Sequence, residues 1–470
     1  MMLFILVAGL LAVADLYVTH PRLAIALYLL TLPAFPFYWA PIALPALNYL
    51  TVQQAVSIGL LLGFQFELWG QLRRRQLNQK RLTAEALVFA MLLLWSLSGF
   101  GITTFTAATR QFFFSLLDYW VPFVLAIRNL ATPEKLLPLY RWITYPAVAV
   151  GGLTLFEYIV QEPVAWNFFS SIQAGTRGDV WMPTLRAGVL RVQATFGQSI
   201  FLGFYLACAA MLALIIATRS RGVGRVGSGV CAIFLALASF LPMARGSMIG
   251  LSIVILVLLL FAKSSARWVI VFGSAMFILF FVIAAPYVPN IANFWNSFVL
   301  TAFGGASGGT QASQLANLDY RWGIVGTGLN IIDHAPILGY GDVSVNGTWP
   351  IPDVANVFLE VGLISGPLGL IAFVIFVARF LFRLNGIWQE QRGTENRYAI
   401  IGLICVYVLI LVSWLDSSWP GQFAQLSWLF LGVVGGWRVN PSKNLVVAPS
   451  YRYQSATADR RPVLVRSHSR

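Results

Sequence analysis

Residues 195–218 read TFGQSIFLGFYLACAAMLALIIAT, a run of apolar and small residues that contains no charge. A helix of about 20 such residues spans the hydrocarbon core of a bilayer. Residues 268–285 form a second run of this kind. Of all 470 residues, 58% are hydrophobic and only 10% are charged, whereas soluble domains average about 25% charged residues. The sequence therefore predicts an all-α, polytopic integral membrane protein and excludes an ordinary soluble domain.

The net charge of +14 comes largely from basic residues in short segments between the apolar runs and in the C-terminal segment. Such segments face the cytoplasm under the positive-inside rule, which accounts for the charge without a nucleic-acid partner. The clearest of them lie at 73–81, 219–225, 263–267 and 379–397. Counting outward from them predicts a bundle of 12–14 transmembrane helices over residues 1–437. The number of spans before residue 70 and the side of the N-terminus stay open.

The same alternation of sides predicts one long loop on the outer side at 288–355 and a smaller one at 161–190. Residues 357–377 are expected to return from the long loop as a single span. Residues 438–470 carry seven basic residues and one acidic residue, which predicts a disordered cytoplasmic tail that touches anionic lipid. The three cysteines lie in apolar runs, so we expect helix packing from them and predict no disulfide framework, metal site or cofactor.

Five arginines on the predicted outer side lie in or beside its two main loops and one short hairpin: Arg177, Arg186, Arg191, Arg245 and Arg321. Arg191 and Arg245 stand next to the starts of spans, where a charge normally faces a cavity or a partner. For either residue alone, a snorkelling contact with lipid headgroups is the alternative. The planar guanidinium, which stays charged, suits a phosphate or a pyrophosphate, and Gly246 and Ser247 would add backbone N–H groups at a helix start. The arginines together predict a cationic pocket.

Five short motifs follow one another in this part of the chain: RVQATFGQS at 191–199, ARGS at 244–247, YRW at 320–322, DHAPILGYG at 333–341 and NVFLEVGLISG at 356–366. In their order and spacing they resemble the O-antigen ligase and O-antigen polymerase superfamily, from residue 185 to residue 370. The resemblance implies an inverting, metal-independent glycosyltransferase at the periplasmic face of a bacterial inner membrane. Its donor would be a glycan linked through pyrophosphate to undecaprenol. Arg191 and Arg245 match the arginines that would neutralise the leaving pyrophosphate.

The sequence departs from the ligases of this family at one position. Ligases carry a histidine eleven residues before the first glycine of a closing glycine turn. Here Ile351 stands at that distance from Gly362, and Ala355 precedes Asn356 in the alternative pairing. Neither residue can accept a proton, and His334 belongs to an earlier motif. The departure favours a polymerase, with a ligase as the alternative.

Four residues in or just after the long loop are the candidates for a general base. Asp353 and Glu360 come first, followed by Asp342 and His334. Glu360 has an alternative role as the partner of an arginine at the helix mouth. His334 has an alternative role as the cap of a turn.

Substrate-binding candidates complete the predicted site. Tyr320, Trp322 and Tyr340 could stack on sugar rings or belong to an interfacial aromatic belt, and Asn356 is a further polar candidate at the end of the loop.

The predicted partners are an undecaprenyl-pyrophosphate-linked oligosaccharide, membrane lipid and other polysaccharide-assembly proteins. Two other classes compete with an enzyme: a transporter of lipid-linked glycans and a non-catalytic scaffold. Transporters tend to carry ionisable residues near the middle of the membrane. Residues 195–218, 247–262 and 268–287 contain no charged residue, which favours the enzyme.

Overall fold

The computed structural model describes residues 2–44, 48–73, 79–97, 105–172, 185–186, 189–261, 323–335, 337, 339–340, 356–417 and 421–437. The helices of the first half are α1 Met2–Thr19, α2 Pro21–Ala34, α3 Val52–Arg73, α4 Gln79–Leu97, α5 Phe105–Ser115, α6 Val121–Asn129, α7 Pro133–Val160 and α8 Val164–Ser171. Those of the second half are α9 Ser199–Arg219, α10 Val223–Ala238, α11 Arg245–Phe261, α12 323–333, α13 Val357–Gln391, α14 Arg397–Asp416 and α15 Gly421–Gly436.

Two short antiparallel hairpins interrupt the described helices. β1 Ile42–Leu44 pairs with β2 Asn48–Leu50, and β3 Leu185–Arg186 pairs with β4 Val189–Leu190. Among the described residues, five helices are long and apolar enough to cross a membrane: α3, α7, α9, α13 and α14. The all-α membrane class is thereby confirmed. Most of the predicted loop 288–355 and all of the tail 438–470 lie outside the described residues, so these features and the count of 12–14 helices stay predictions.

Helix α9 lies at the centre of the bundle and packs against α7, α10, α11 and α14. In its most apolar window 89% of the residues are buried, because a helix that is apolar on all sides is covered by other helices. The free cysteines Cys208 on α9 and Cys405 on α14 are buried, and Cys231 on α10 is half-buried. All three lie on packed helices, as the sequence predicts.

One buried acidic group lies on a π-helical turn, Leu116–Trp120, that joins α5 to α6. The Asp118 carboxylate accepts hydrogen bonds from Gln54 Nε2 of α3 at 3.0 Å and from Gln425 Nε2 of α15 at 2.6 Å. Polar groups inside a membrane must find their partners within the protein. The Asp118 carboxylate therefore links α3 and α15 to the helical segment that carries it.

The helix ends that the sequence assigns to the cytoplasm lie together. The Tyr140 hydroxyl of α7 donates to the Ala399 carbonyl of α14 at 2.6 Å. Arg219 at the end of α9 donates to the Glu395 carbonyl, and Arg397 at the start of α14 donates to the Phe261 carbonyl at the end of α11. We call this side of the bundle the basic end.

The opposite end, which we call the mouth, joins the end of α2 to the starts of α9, α11 and α15. Gln422 Nε2 of α15 donates to the Phe35 carbonyl after α2 and to the Thr195 carbonyl before α9, each at 3.0 Å. A Cβ built on Gly203 of α9 would lie 2.5 Å from Ser247 Oγ of α11. The predicted outer side thus corresponds to one contiguous end of the bundle.

Helix α13 reverses its direction at Gly366, where φ is 70° and ψ is −176°. The Phe358 and Phe373 rings lie 5.5 Å apart, although fifteen residues of straight helix are about 22 Å long. Residues 357–365 therefore form a short helix that folds back on the segment beginning at Pro367. Glycine after a helix and proline at the start of the next are the residues that such a reversal favours. The expected single span over 357–377 is corrected accordingly, because the long helix begins only after the reversal.

Candidate functional site

Residues 190–198, which we call the Arg191 segment, lead from the last residue of β4 into α9, and residues 191–198 are neither helix nor strand. Arg191 is half-buried, and Val192, Ala194 and Phe196 are buried. Buried backbone N–H and C=O groups need hydrogen-bond partners. Because this segment is not helical, part of these partners must come from elsewhere in the chain.

Side chains of α7 and its C-terminal end hold the amides of the Arg191 segment. Leu190 N donates to Gln161 Oε1 at 3.1 Å, and Ala194 N donates to Glu157 Oε2 at 3.0 Å. The Thr195 hydroxyl in turn donates to the Pro33 carbonyl at 2.5 Å. These bonds fix the path of the chain on which Arg191 stands.

The second arginine, Arg245, is the first residue of α11, and its side chain lies outside the described residues. Gly246 is buried, and a Cβ built on it would overlap the Asp416 carboxylate. Asp416 is the last residue of α14. A carboxylate beside the N-terminus of a helix is favourable because it faces the positive end of the helix dipole. Glycine at 246 is therefore required by the close approach of Asp416.

Asp416 is a charged residue of the mouth that sequence reasoning did not select. Its signal in the sequence was an acid between two apolar spans, which by itself does not distinguish a site residue from a surface residue. Ser247 was selected for the pocket, yet its hydroxyl donates to the Ala244 carbonyl at 2.8 Å and is buried. The Ser247 hydroxyl therefore makes its hydrogen bond within the turn at the start of α11.

Asn356 caps the short helix and connects it to α14. Its Oδ1 accepts hydrogen bonds from Phe358 N at 2.8 Å and from Leu359 N at 3.3 Å. Its Nδ2 donates to the Leu415 carbonyl at 3.3 Å. Since Leu415 precedes Asp416, the start of the short helix lies beside the start of α11.

Glu360 stands half-buried in the first turn of the same short helix, where its amide donates to the Asn356 carbonyl at 3.0 Å. Glu360 thus stands in the helix that Asn356 caps, and its role as a base or as an ion-pair partner stays a prediction.

His334 and Tyr340 lie at the other end of the short helix. His334 is exposed, and its Nδ1 lies 2.8 Å from the Asn330 carbonyl. Tyr340 is half-buried: its amide donates to the Leu363 carbonyl at 3.0 Å and its hydroxyl to the His334 carbonyl at 3.4 Å. Nine residues of helix, from Val357 to Ser365, are about 13 Å long. The loop with His334 therefore sits near the reversal, and Asn356 sits in the mouth.

Other selected residues cannot be placed. Arg321, Tyr320, Trp322, Asp342 and Asp353 lie outside the described residues, as does the side chain of Arg186. For these positions the predicted roles stay predictions.

The two arginine-bearing segments flank the first turns of α9. The Arg191 segment runs directly into Ser199, the first residue of α9. One turn later, Gly203 packs on Ser247 and Ala244 beside Arg245. The backbone positions of Arg191 and Arg245 thus share the mouth, whereas the convergence of their guanidinium groups stays a prediction.

Comparison with protein families places this arrangement in context. Residues 230–374 match the family model described as O-antigen ligase. This part of the chain is therefore similar to the O-antigen ligase family. The match confirms the resemblance to the O-antigen ligase superfamily, and it covers the start of α11, α12 and the helix reversal. No curated protein matches the chain.

The O-antigen ligase match indicates a multi-pass membrane enzyme of the ligase and polymerase type, whose members are glycosyltransferase-like and act on lipid-linked glycans. The matched range includes Arg245, Gly246 and Asn356. Arg191 and Asp416 lie outside this range, and Asp416 reaches the matched part through its close approach to Gly246.

Proposed function

We propose that this protein is a periplasmic-face glycosyltransferase of the bacterial inner membrane that polymerises undecaprenyl-pyrophosphate-linked oligosaccharide repeats into a surface polysaccharide. The single observation that supports the proposal is that the Arg191 segment leads into α9 where the start of α11 packs on the first turns of α9, in a chain whose residues 230–374 match an O-antigen ligase model. Fixed cations at an outer mouth suit a diphosphate leaving group.

In the proposed reaction, a hydroxyl of one repeat attacks the anomeric carbon of another repeat. The bond between that carbon and the phosphate oxygen breaks, so the anomeric configuration inverts and undecaprenyl diphosphate leaves. Arg191 and Arg245 stabilise the charge that develops on the diphosphate, with Arg321 as a third cation. Loss of one such group costs about 3 kcal/mol of activation free energy, or roughly a hundredfold in rate.

The proton of the attacking hydroxyl needs an acceptor at the same end. Glu360 is the proposed base among the described residues, since its short helix begins in the mouth. Asp353, three residues before Asn356, is the other candidate. His334 is the weaker candidate because its loop docks near Gly366, away from Asn356.

The test uses the purified protein in lipid nanodiscs with an undecaprenyl-pyrophosphate oligosaccharide and a metal chelator. We expect a ladder of polymer and one released undecaprenyl diphosphate for each new linkage. Transfer of single glycans to a lipid A core without a ladder would instead identify a ligase. Unchanged substrate would identify a transporter or a scaffold.

Removing the proposed cations gives the first prediction. Arg191→Ala, Arg245→Ala and Arg321→Ala are each expected to lower the rate of diphosphate release about a hundredfold while the protein stays in the membrane. Arg110→Ala is the matched control, because Arg110 lies on α5 outside the predicted motifs. Normal polymer length from all three variants would contradict the hypothesis of a cationic pocket.

A further inference from the structure

Glu157, in the last turn of α7, is a completely buried carboxylate that joins three elements. Its Oε1 accepts a hydrogen bond from Ala165 N at 2.8 Å in the first turn of α8. Its Oε2 accepts one from Ala194 N at 3.0 Å in the Arg191 segment. Both oxygens are therefore used on backbone amides, one on each of two separate segments.

The amide that Glu157 holds belongs to a residue in an unfavourable conformation. Ala194 has φ of 45°, one of three described non-glycine residues with positive φ. This left-handed region costs free energy for any residue that carries a Cβ. Residues held in such conformations persist only where the surrounding structure fixes them, and they cluster at functional sites. The Ala194 conformation sets the direction in which the chain runs between Arg191 and α9.

We propose that Glu157 is a positioning residue for Arg191. It acts through the Ala194 amide and fixes the backbone so that the Arg191 guanidinium is held towards the lipid-linked diphosphate. The inference deepens the proposed function and rests on it. A carboxylate suits this role because its two oxygens accept from two N–H groups at once, and an ionised acceptor makes stronger hydrogen bonds than a neutral one.

The central variant is Glu157→Gln, which keeps the side-chain size but turns one acceptor oxygen into an NH₂ group. Facing an amide N–H, that group cannot accept a hydrogen bond. We expect kcat for polymerisation to fall at least tenfold, with KM changed less than twofold. Glu162→Gln is the matched control, since Glu162 is an exposed carboxylate at the same helix end, and it should stay within twofold of the wild-type kcat.

A second substitution distinguishes positioning from general loss of structure. Glycine adopts positive φ at no steric cost, so Ala194→Gly should relieve the conformation that Glu157 sustains. In the Glu157→Gln background we expect Ala194→Gly to recover kcat at least fivefold. A Glu157 role limited to joining α7 and α8 would give no such recovery.

Hydrogen exchange measured on peptides that cover residues 190–198 tests the hydrogen bond between Glu157 and the Ala194 amide without any assay of activity. We expect faster exchange in Glu157→Gln than in the wild type, with no change in α9. Unchanged exchange together with unchanged kcat would overturn the proposal. Faster exchange with unchanged kcat would also overturn it, while leaving the proposed polymerase intact.

The proposed function and the role of Glu157 have separate failure outcomes. If the wild type releases no diphosphate from any lipid-linked oligosaccharide, the proposed function fails, and with it the role of Glu157 in catalysis. If Glu157→Gln does not accumulate in the membrane, Gln161→Ala serves instead, because Gln161 is exposed and accepts from Leu190 N next to Arg191. A threefold fall in kcat in that variant would support positioning, and no fall would overturn it.

Discussion

A Cβ at Gly246 would overlap the Asp416 side chain, so a larger residue there requires something to shift. The neighbouring residue Arg245 begins α11 and is the proposed diphosphate ligand. A substitution at 246 therefore moves either the carboxylate or the helix start. At the residue scale, glycine here reflects a close approach between two helices.

The close approach of Asp416 to Gly246 leads to a prediction at the residue scale. Gly246→Ala should push Asp416 away from the start of α11 and lower the rate of diphosphate release more than tenfold, since misplacement by about 1 Å costs up to a hundredfold in rate. The rate in nanodiscs checks this. Gly227→Ala on α10 is the control, because a Cβ there meets nothing within 4 Å. Wild-type rates in Gly246→Ala would contradict the required contact.

Helix α13 illustrates how one glycine changes the role of an element. Its sequence from Val357 to Gln391 is apolar enough for a membrane span, and hydropathy alone predicts a straight crossing. The reversal at Gly366 instead turns residues 357–365 back towards the mouth and leaves the crossing to the segment after Pro367. Gly339, with φ of 75°, docks against the backbone at Gly366 and Ile364.

At the element scale, we predict that Gly339→Ala releases the docked loop from α13. A Cβ would lie 2.3 Å from both the Gly366 amide nitrogen and the Ile364 carbonyl oxygen, and neither backbone can yield. Hydrogen exchange at Tyr340 should accelerate, because its amide now donates to the Leu363 carbonyl. Gly326→Ala on α12 is the control, since a Cβ there meets nothing within 4 Å. Unaltered exchange at Tyr340 would refute the docking.

For the whole molecule, the contacts divide the described helix ends into a basic end and a mouth. The basic end gathers Arg219 and Arg397, which the positive-inside rule assigns to the cytoplasm. The mouth holds the Arg191 segment and the start of α11. The basic end thus holds helix ends that the charge pattern assigns to the cytoplasm, and the mouth holds segments that it assigns to the outer side.

The prediction at this scale concerns orientation. In a variant with the native cysteines replaced by serine, Glu162→Cys should react with a membrane-impermeant maleimide in cells whose outer membrane alone is permeable. Arg221→Cys should react only after the inner membrane is opened, since Arg221 is exposed beside the end of α9. Labelling in the reverse pattern would place the mouth in the cytoplasm and exclude a periplasmic transferase.

The sequence by itself determined the class of the protein and the residues worth testing. Hydropathy and charge report local properties, namely burial in lipid and the side of a loop, and both are read along the chain without knowledge of contacts. The motifs around Arg191, Arg245 and Asn356 likewise pointed to the superfamily that the match over residues 230–374 supports.

Only the tertiary structure decided which distant residues support these motifs. Glu157 and Ala194 are 37 positions apart in the chain, and Asp416 reaches Gly246 from a helix near the C-terminus. The reversal at Gly366 was hidden because an apolar run looks the same whether it crosses a membrane or folds back on itself. Hydrogen bonds and close approaches between separate helices depend on packing, and packing leaves no periodic signal in a single sequence.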